Sequence, residues 1–255
     1  MKFGRFTIGS DSDIKTGVLS GEKVREIEGN LFGEWEYAEK EYNVHEVTWK
    51  VPCEPHHVIG IGANFVAHKE ELPDSLPEIP VFFYKPTSSV IGTDESIVIP
   101  KSIEEVKFES ELAAVIGRRT RYVSEEDALD CVFGYTIGND VTAPQFFHED
   151  GHWTIGKSFD TFTPLGPLIE TDLPLESIHI QSFLNGEKKQ DSPLSLMILS
   201  VKKMISYLSN VMTLQPGDVI LTGSPVGAGF LKAGDEIECR INGIGSLRNV
   251  AVAEK

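Results

Sequence analysis

The chain has 255 residues, 40% hydrophobic and 24% charged, enough to bury a stable core and too mixed for a disordered, fibrous or repetitive polymer. A formal net charge of −16 repels nucleic acid and anionic membrane surfaces, so neither is expected as a partner. Any anionic ligand must then meet a local positive centre, and a bound cation is one way to supply it.

Cys53, Cys131 and Cys239 are dispersed, fit no metal or redox spacing, and suggest reduced thiols. The start of the chain lacks a secretory apolar core, and no apolar run approaches the roughly 18 residues of a membrane span. A cytoplasmic location is the expectation.

Residues 1–52 read as short strands with a turn at Ser20-Gly21, then a polar stretch rich in Glu and Tyr. Pro52 and Pro55 punctuate the chain there, which separates a small N-terminal domain from a main domain over residues 53–255. In the main domain strands are predicted at Val58–Ala63, Val81–Tyr84, Phe108–Ile116 and Phe133–Asp140. Further strands follow at Ile178–Leu184, Val219–Thr222, Glu236–Ile241 and Leu247–Val252. Asn185-Gly186 predicts a tight hairpin, since both residues tolerate positive φ.

Two helices are expected. Ser124 caps a short one through Leu129, with Glu125, Glu126 and Asp127 in its first turn. The second starts after Ser192-Pro193, where Leu194, Ile198, Val201, Ile205, Leu208 and Met212 recur at steps of four and three as one apolar stripe. Strands outnumber helices without regular alternation, so the fold class is α+β, mainly β, and not a doubly wound parallel sheet.

The run Phe108-Glu109-Ser110-Glu111-Leu112-Ala113-Ala114-Val115-Ile116 places Glu109 and Glu111 on the same face of one strand. Two carboxylates about 4 Å apart repel by roughly 4 kcal/mol at an effective dielectric near 20. In a half-buried strand such a pair calls for a cation, a proton or a wet edge. The apolar strand Phe133–Asn139 ends in another carboxylate, Asp140. Three carboxylates with no nearby Cys or His suit a hard ion, Mg²⁺, Mn²⁺ or Ca²⁺.

Two nucleotide-binding patterns are decoys. Gly151-His-Trp-Thr-Ile-Gly156-Lys157-Ser158 spells a phosphate loop, but Pro164, Gly166 and Pro167 block the helix that such a loop must open. Gly60-Ile61-Gly62 has Phe65 where a dinucleotide fingerprint needs its third glycine.

From Val58 to Asn249 the chain resembles the fumarylacetoacetate hydrolase family. The segments that carry the likeness occur in the family's order: Gly62-Ala63-Asn64-Phe65-Val66-Ala67-His68 with Glu71; Phe83-Tyr84-Lys85-Pro86; Glu109-Ser110-Glu111-Leu112; and Gly134-Tyr135-Thr136 with Asn139-Asp140. Gly156-Lys157-Ser158-Phe159-Asp160, Pro164-Leu165-Gly166-Pro167, Met212-Thr213-Leu214 with Gly217-Asp218, and Thr222-Gly223-Ser224-Pro225 with Gly227 complete them. Each is weak alone; their joint order is specific.

The resemblance implies a mixed β-sheet and β-roll main domain, a homodimer, and Mg²⁺ or Mn²⁺ (Ca²⁺ as a stand-in in crystals) on Glu109, Glu111 and Asp140. It implies a catalytic His68–Glu71 pair on a lid segment, and a spacing of three puts the two on one face of a helical turn. There Glu71 would orient the imidazole as a general base towards water. Lys157 joins them as a catalytic cation that meets developing enolate charge. Asn64, Lys85, Gln145, Thr222, Gly223 and Ser224 are the candidate substrate-binding residues.

The activity implied is C–C bond hydrolysis in an acylpyruvate-like 2-oxo acid through an enolate held by the ion. The alternatives on the same site are an oxaloacetate-type decarboxylase, a 2-hydroxyhepta-2,4-diene-1,7-dioate isomerase or a sugar-acid dehydratase. A non-catalytic binding protein is a third class. One departure bears on the substrate: many members carry an arginine four positions and a glutamine seven positions after the metal aspartate, where this chain has Pro144 and Phe147. Gln145, His148 and His152 are the nearby polar replacements.

Overall fold

The computed structural model describes residues 1–148 and 153–255, so Gly151 and His152 lie outside the described residues. Five strands come from the first fifty residues: β1 (Lys2–Ile8), β2 (Lys15–Ser20), β3 (Lys23–Gly29), β4 (Trp35–Asn43) and β5 (Val47–Lys50). The next are β6 (Val58–Ile61), β7 (Phe82–Lys85), β8 (Val90–Ile91), β9 (Ile97–Ile99), β10 (Val106–Lys107), β11 (Ser110–Ile116), β12 (Val132–Asn139) and β13 (Thr163–Glu170). β14 (His179–Leu184), β15 (Glu187–Pro193), β16 (Val219–Leu221), β17 (Phe230–Leu231), β18 (Glu236–Ile241) and β19 (Gly245–Ala253) complete the set. Every predicted strand of the main domain meets an observed one, its ends moved by two residues at most. The fold is mainly β, as expected.

A twelve-stranded sheet runs β4-β3-β2-β1-β13-β12-β11-β16-β6-β7, with β5 on β1 and β8 on β13. The first strands therefore extend the main sheet, through Lys2 opposite Glu170 and Phe3 opposite Ile169. A five-stranded sheet, β15-β14-β18-β19-β9, packs against its centre. β11 explains why its sequence is apolar without alternation: it is buried on both faces. Leu112, Ala114 and Ile116 share a core with Ile180, Ile237, Ile241 and Leu247 of the smaller sheet. Ala113 and Val115 face the other way, towards Val58, Leu165, Ile169 and Val219.

Asn185 and Gly186 make the β14–β15 turn with φ of +51° and +81°, the left-handed geometry their sequence anticipates. The helices differ from expectation. The long one, α1, covers only Val201–Val211 and is capped by Ser200, whose hydroxyl accepts from the Lys203 amide at 3.4 Å. β15 carries the chain to Pro193, and the first residues of the apolar stripe form only a 3₁₀ turn, Leu194–Leu196. Met197 then bridges Phe65 and the Ile198 amide donates to the Asn64 carbonyl at 2.8 Å, so contacts with the segment after β6 hold this stretch out of the α-helix. Ser124 does accept from the Asp127 amide at 3.2 Å, but only a turn and a 3₁₀ segment, Ala128–Cys131, follow before β12 takes the chain. Among the described residues no helix is long and apolar enough to cross a membrane.

Candidate active site

The register of two antiparallel strands builds the acidic cluster. Ser110 lies opposite Asn139, which makes Glu109 and Asp140 the next cross-strand neighbours; the Asp140 amide donates to the Glu109 carbonyl at 2.9 Å. Asn139 adds a side-chain tie, its Oδ1 accepting from the Glu109 amide at 2.9 Å. Alternation along β11 then puts Glu111 on the face of Glu109. One carboxylate oxygen from each of Glu109, Glu111 and Asp140 lies within 4.8 Å of the others.

Three lysines answer these acids unevenly. Lys157 Nζ bridges Glu109 Oε2 at 2.6 Å and Asp140 Oδ2 at 2.5 Å. Lys85 Nζ, fully buried, donates to Asp140 Oδ1 at 2.6 Å and to the Val141 carbonyl at 3.1 Å. Lys107 Nζ is 3.0 Å from Glu109 Oε1. Glu111 has no lysine partner among the described residues; its Oε2 accepts one backbone bond, from Gly223 at 2.7 Å.

The titration of these groups follows. Burial, then the charges of Asp140 and Glu109, push the Glu111 carboxyl well above the ordinary glutamate range. Burial works against the charged form of Asp140 too, but Lys157 and Lys85 outweigh it and hold its pKa below the usual value. Burial likewise opposes the Lys157 ammonium, and Asp140 and Glu109 overcome it and raise its pKa. For Lys85 burial prevails over Asp140, and its pKa is lowered.

These residues fit a divalent cation. All the donors are carboxylate oxygens, the set a hard ion prefers. Metal–oxygen bonds of about 2.1–2.4 Å hold two donors on one ion no more than roughly 4.2–4.8 Å apart, and the three oxygens lie within 4.8 Å of one another. The buried carboxyl without a lysine, Glu111, is the group an added positive charge would relieve.

The cluster floors a cavity of about 280 Å³, whose walls include Gly62, Phe83, Phe147, Trp153 and Ser224. Lys157 also lines it, and among the candidates so do Glu109, Glu111, Asp140 and Ser224. Ser224 Oγ donates to the Ser110 carbonyl at 3.1 Å and accepts from Gln190 Nε2 at 2.8 Å. Gly223 meets the site through its amide, at φ +96°, a conformation that glycine takes without strain.

Other candidates point elsewhere. Asn64 is buried and used up: its amide donates to the carbonyls of Thr222 (2.8 Å) and Leu199 (3.1 Å) and accepts from the Leu199 amide (2.7 Å). Thr222 Oγ1 donates to the Leu112 carbonyl at 2.9 Å, so its hydroxyl ties the end of β16 to β11, and Thr222 does not line the cavity. Gln145 is exposed and, with its amide turned so that both atoms find partners, bonds main chain, donating to the Glu105 carbonyl at 3.0 Å and accepting from the Glu104 amide at 3.2 Å. His68 and Glu71 are exposed at either end of a 3₁₀ turn and do not line the cavity. The Glu71 carboxylate accepts from the amides of Ala67 (3.0 Å) and His68 (3.3 Å), so it caps this turn, and among the described residues it makes no bond to the imidazole.

Sequence reasoning passed over Lys107, Phe83 and Trp153. Lys107 was findable, because alternation puts residues 107, 109 and 111 on one face. The rings carried no such signal.

A mainly β scaffold with an oxygen-lined acidic cluster at its strand ends defines an enzyme fold suited to a divalent ion. The sequence pattern described as fumarylacetoacetate (FAA) hydrolase C-terminal matches residues 57–252, and one described as Rv2993c-like, N-terminal matches residues 1–52. The chain belongs to the fumarylacetoacetate hydrolase family. It is 38% identical over 220 residues to the mitochondrial oxaloacetate tautomerase FAHD2A of Bos taurus, covering 81% of this chain and 70% of that one. The structure of 5-carboxymethyl-2-hydroxymuconate delta-isomerase from Mycobacterium smegmatis matches with a TM-score of 0.93 at 36% identity, over 100% of both chains. Maleylpyruvate hydrolase from Sphingobium sp. SYK-6, solved with manganese(II) and pyruvate, matches with a TM-score of 0.83 at 28% identity, over 100% of both chains.

Proposed function

We propose that the protein is a divalent-metal-dependent enzyme that draws a small 2-oxo acid towards its enolate and hydrolyses a C–C bond in an acylpyruvate-like substrate. The observation that carries this reading is the unequal pairing of Glu109, Glu111 and Asp140 around Lys157 in one cavity. Mg²⁺ or Mn²⁺ on the three carboxylates would supply Lewis-acid polarisation of the 2-oxo group. The relative solved with manganese(II) and pyruvate supports both the ion class and the head group.

The remaining work falls to side chains. Lys157, held protonated by its two acidic neighbours, meets negative charge as it develops on the substrate oxygen. Lys85 and the Gly223 amide keep Asp140 and Glu111 aimed at the cavity. Water adds to the distal carbonyl carbon, the adjacent C–C bond breaks, and its electron pair passes into the pyruvate enolate while the acyl part leaves as a carboxylic acid. A proton then returns to the enolate carbon. His68 is the proposed base for that water, which requires the segment bearing it to move towards the cavity.

A second reading keeps the enolate and omits the water: keto–enol isomerisation or decarboxylation of an oxo acid. The exposed position of His68, together with the tautomerase and isomerase names of the relatives, favours it. Acetylpyruvate, oxaloacetate and fumarylpyruvate, each with Mg²⁺ or Mn²⁺ and an EDTA control, separate the two. Pyruvate released with the matching acid, and lost in His68→Ala at unchanged metal affinity, supports hydrolysis. Enol disappearance or CO₂ release that His68→Ala leaves intact supports the second reading.

A further inference from the structure

The cavity has two unlike halves. Two of the three acids of its floor are met by lysines: Lys107 lies on Glu109 at 3.0 Å, and Lys157 on Glu109 and Asp140 at 2.6 and 2.5 Å. Its wall is aromatic. Phe147 and Trp153 stack with centroids 5.4 Å apart at 18°, and Phe83 meets Trp153 at 5.9 Å. Lys157 Nζ stands 4.9 Å from the Phe83 ring centre and 5.9 Å from that of Phe147, where the two halves join.

This wall is seated, not incidental. A Cβ on Gly62 would fall on the Trp153 ring, and one on Gly156 would come within 2.8 Å of the Phe147 ring. Only glycine lets those rings lie where they do. Phe147 and Trp153 are each only partly buried, so apolar ring surface faces the cavity. Among the described residues no arginine lines it, and position 144, four after Asp140, is a proline at the start of a 3₁₀ turn.

We propose that Phe83, Phe147 and Trp153 form a subsite for an apolar tail, aliphatic or aryl, on the oxo acid, and that a carboxylate-ended tail is disfavoured. A tail carboxylate placed against the rings would shed water and meet a Lys157 already shared between Glu109 and Asp140, with no arginine beside it among the described residues, whereas an apolar tail gains by the same burial. A 280 Å³ cavity suits a small acid with one such substituent. This inference rests on the 2-oxo-acid reading of the acidic floor.

The test is calorimetric binding to the Mg²⁺-loaded full chain, using acids that cannot be cleaved. Oxalate reports the head group alone. 5-Methyl-2-oxohexanoate and 2-oxoglutarate are near-isosteric and differ in an isopropyl against a carboxylate end. The methyl-ended acid is expected to bind roughly tenfold or more tightly than 2-oxoglutarate. Phe147→Gln should collapse that ratio and Phe147→Leu should keep it. Oxalate binding with equal or reversed tail preference overturns the subsite alone, as does a ratio that Phe147→Gln leaves unchanged. Failure of oxalate to bind overturns the oxo-acid reading, and the subsite with it.

Discussion

Lys157 and Asp140 form an ion pair of 2.5 Å with both side chains nearly out of solvent, 4% and 2% exposed. Such a pair need not stabilise the fold, because burying two charges costs about as much as their attraction returns. Breaking it is another matter. Lys157→Met leaves Asp140, among the described residues, with Lys85 as its remaining cation.

The expected loss for Lys157→Met is about 3 kcal/mol, at the lower end for a broken buried pair because Lys85 remains. Differential scanning calorimetry of the ion-free protein should read it as a fall in Tm of roughly 6–12 °C. Adding Asp140→Asn to the same chain should recover much of the loss, since the stranded charge is gone. A double variant no more stable than Lys157→Met would contradict the pairing.

Glu111→Gln should act in the opposite sense on the ion-free fold. The carboxyl is buried with one backbone donor and two acidic neighbours, and the amide removes the charge while preserving shape. Stability without metal is expected to hold or rise by about 1 kcal/mol. Mg²⁺ should cease to raise Tm, and titration calorimetry should lose at least tenfold in affinity. A variant that still gains stability from Mg²⁺ would remove Glu111 from the ligand set.

The raised Glu111 pKa fixes a pH dependence. A folded-state value above the ordinary glutamate range of about 4.3 means that the unfolded chain releases this proton first as pH rises. Its contribution to ion-free stability is therefore complete below that value and lost as pH climbs through the folded one. Mn²⁺ needs the ionised carboxylate, so the Tm gain from Mn²⁺ should grow across this window. A gain that is flat from about pH 5 to pH 8, or that shrinks, contradicts the assignment.

The alternation that pairs Glu109 with Glu111 was readable in the chain, as was the end of a strand at Asp140. What brought Asp140 beside Glu109 was the register of β11 on β12, with Ser110 opposite Asn139, across a fifteen-residue connection. No local pattern encodes that register. The late start of α1 has a similar source: Leu194 and Ile198 extend the helical stripe, while long-range ties, Met197 to Phe65 and the Ile198 amide to the Asn64 carbonyl, decide the backbone there. Family likeness alone marks Lys157 in the sequence, because a buried lysine looks like a surface one until its acids are placed. The rings of Phe147 and Trp153 gave no periodic signal, since both lie outside regular elements.

Asn64 separates a structural from a substrate-binding role. Its three side-chain bonds tie the segment after β6 to Leu199 and Thr222, and Asn64→Ala leaves the buried Leu199 amide without its acceptor. Each net bond is worth about 1 kcal/mol, so a loss of roughly 2–4 kcal/mol is expected in chemical denaturation. A substrate contact would instead raise KM at unchanged stability, and that outcome would make Asn64 a substrate-binding residue.

The most direct test of the cation site is anomalous scattering from crystals grown with Mn²⁺. A single strong peak is expected at coordination distance, about 2.1–2.3 Å, from one oxygen each of Glu109, Glu111 and Asp140. A peak elsewhere, or none at this cluster with Lys157 and Lys85 still bonded as in the ion-free chain, would contradict the account.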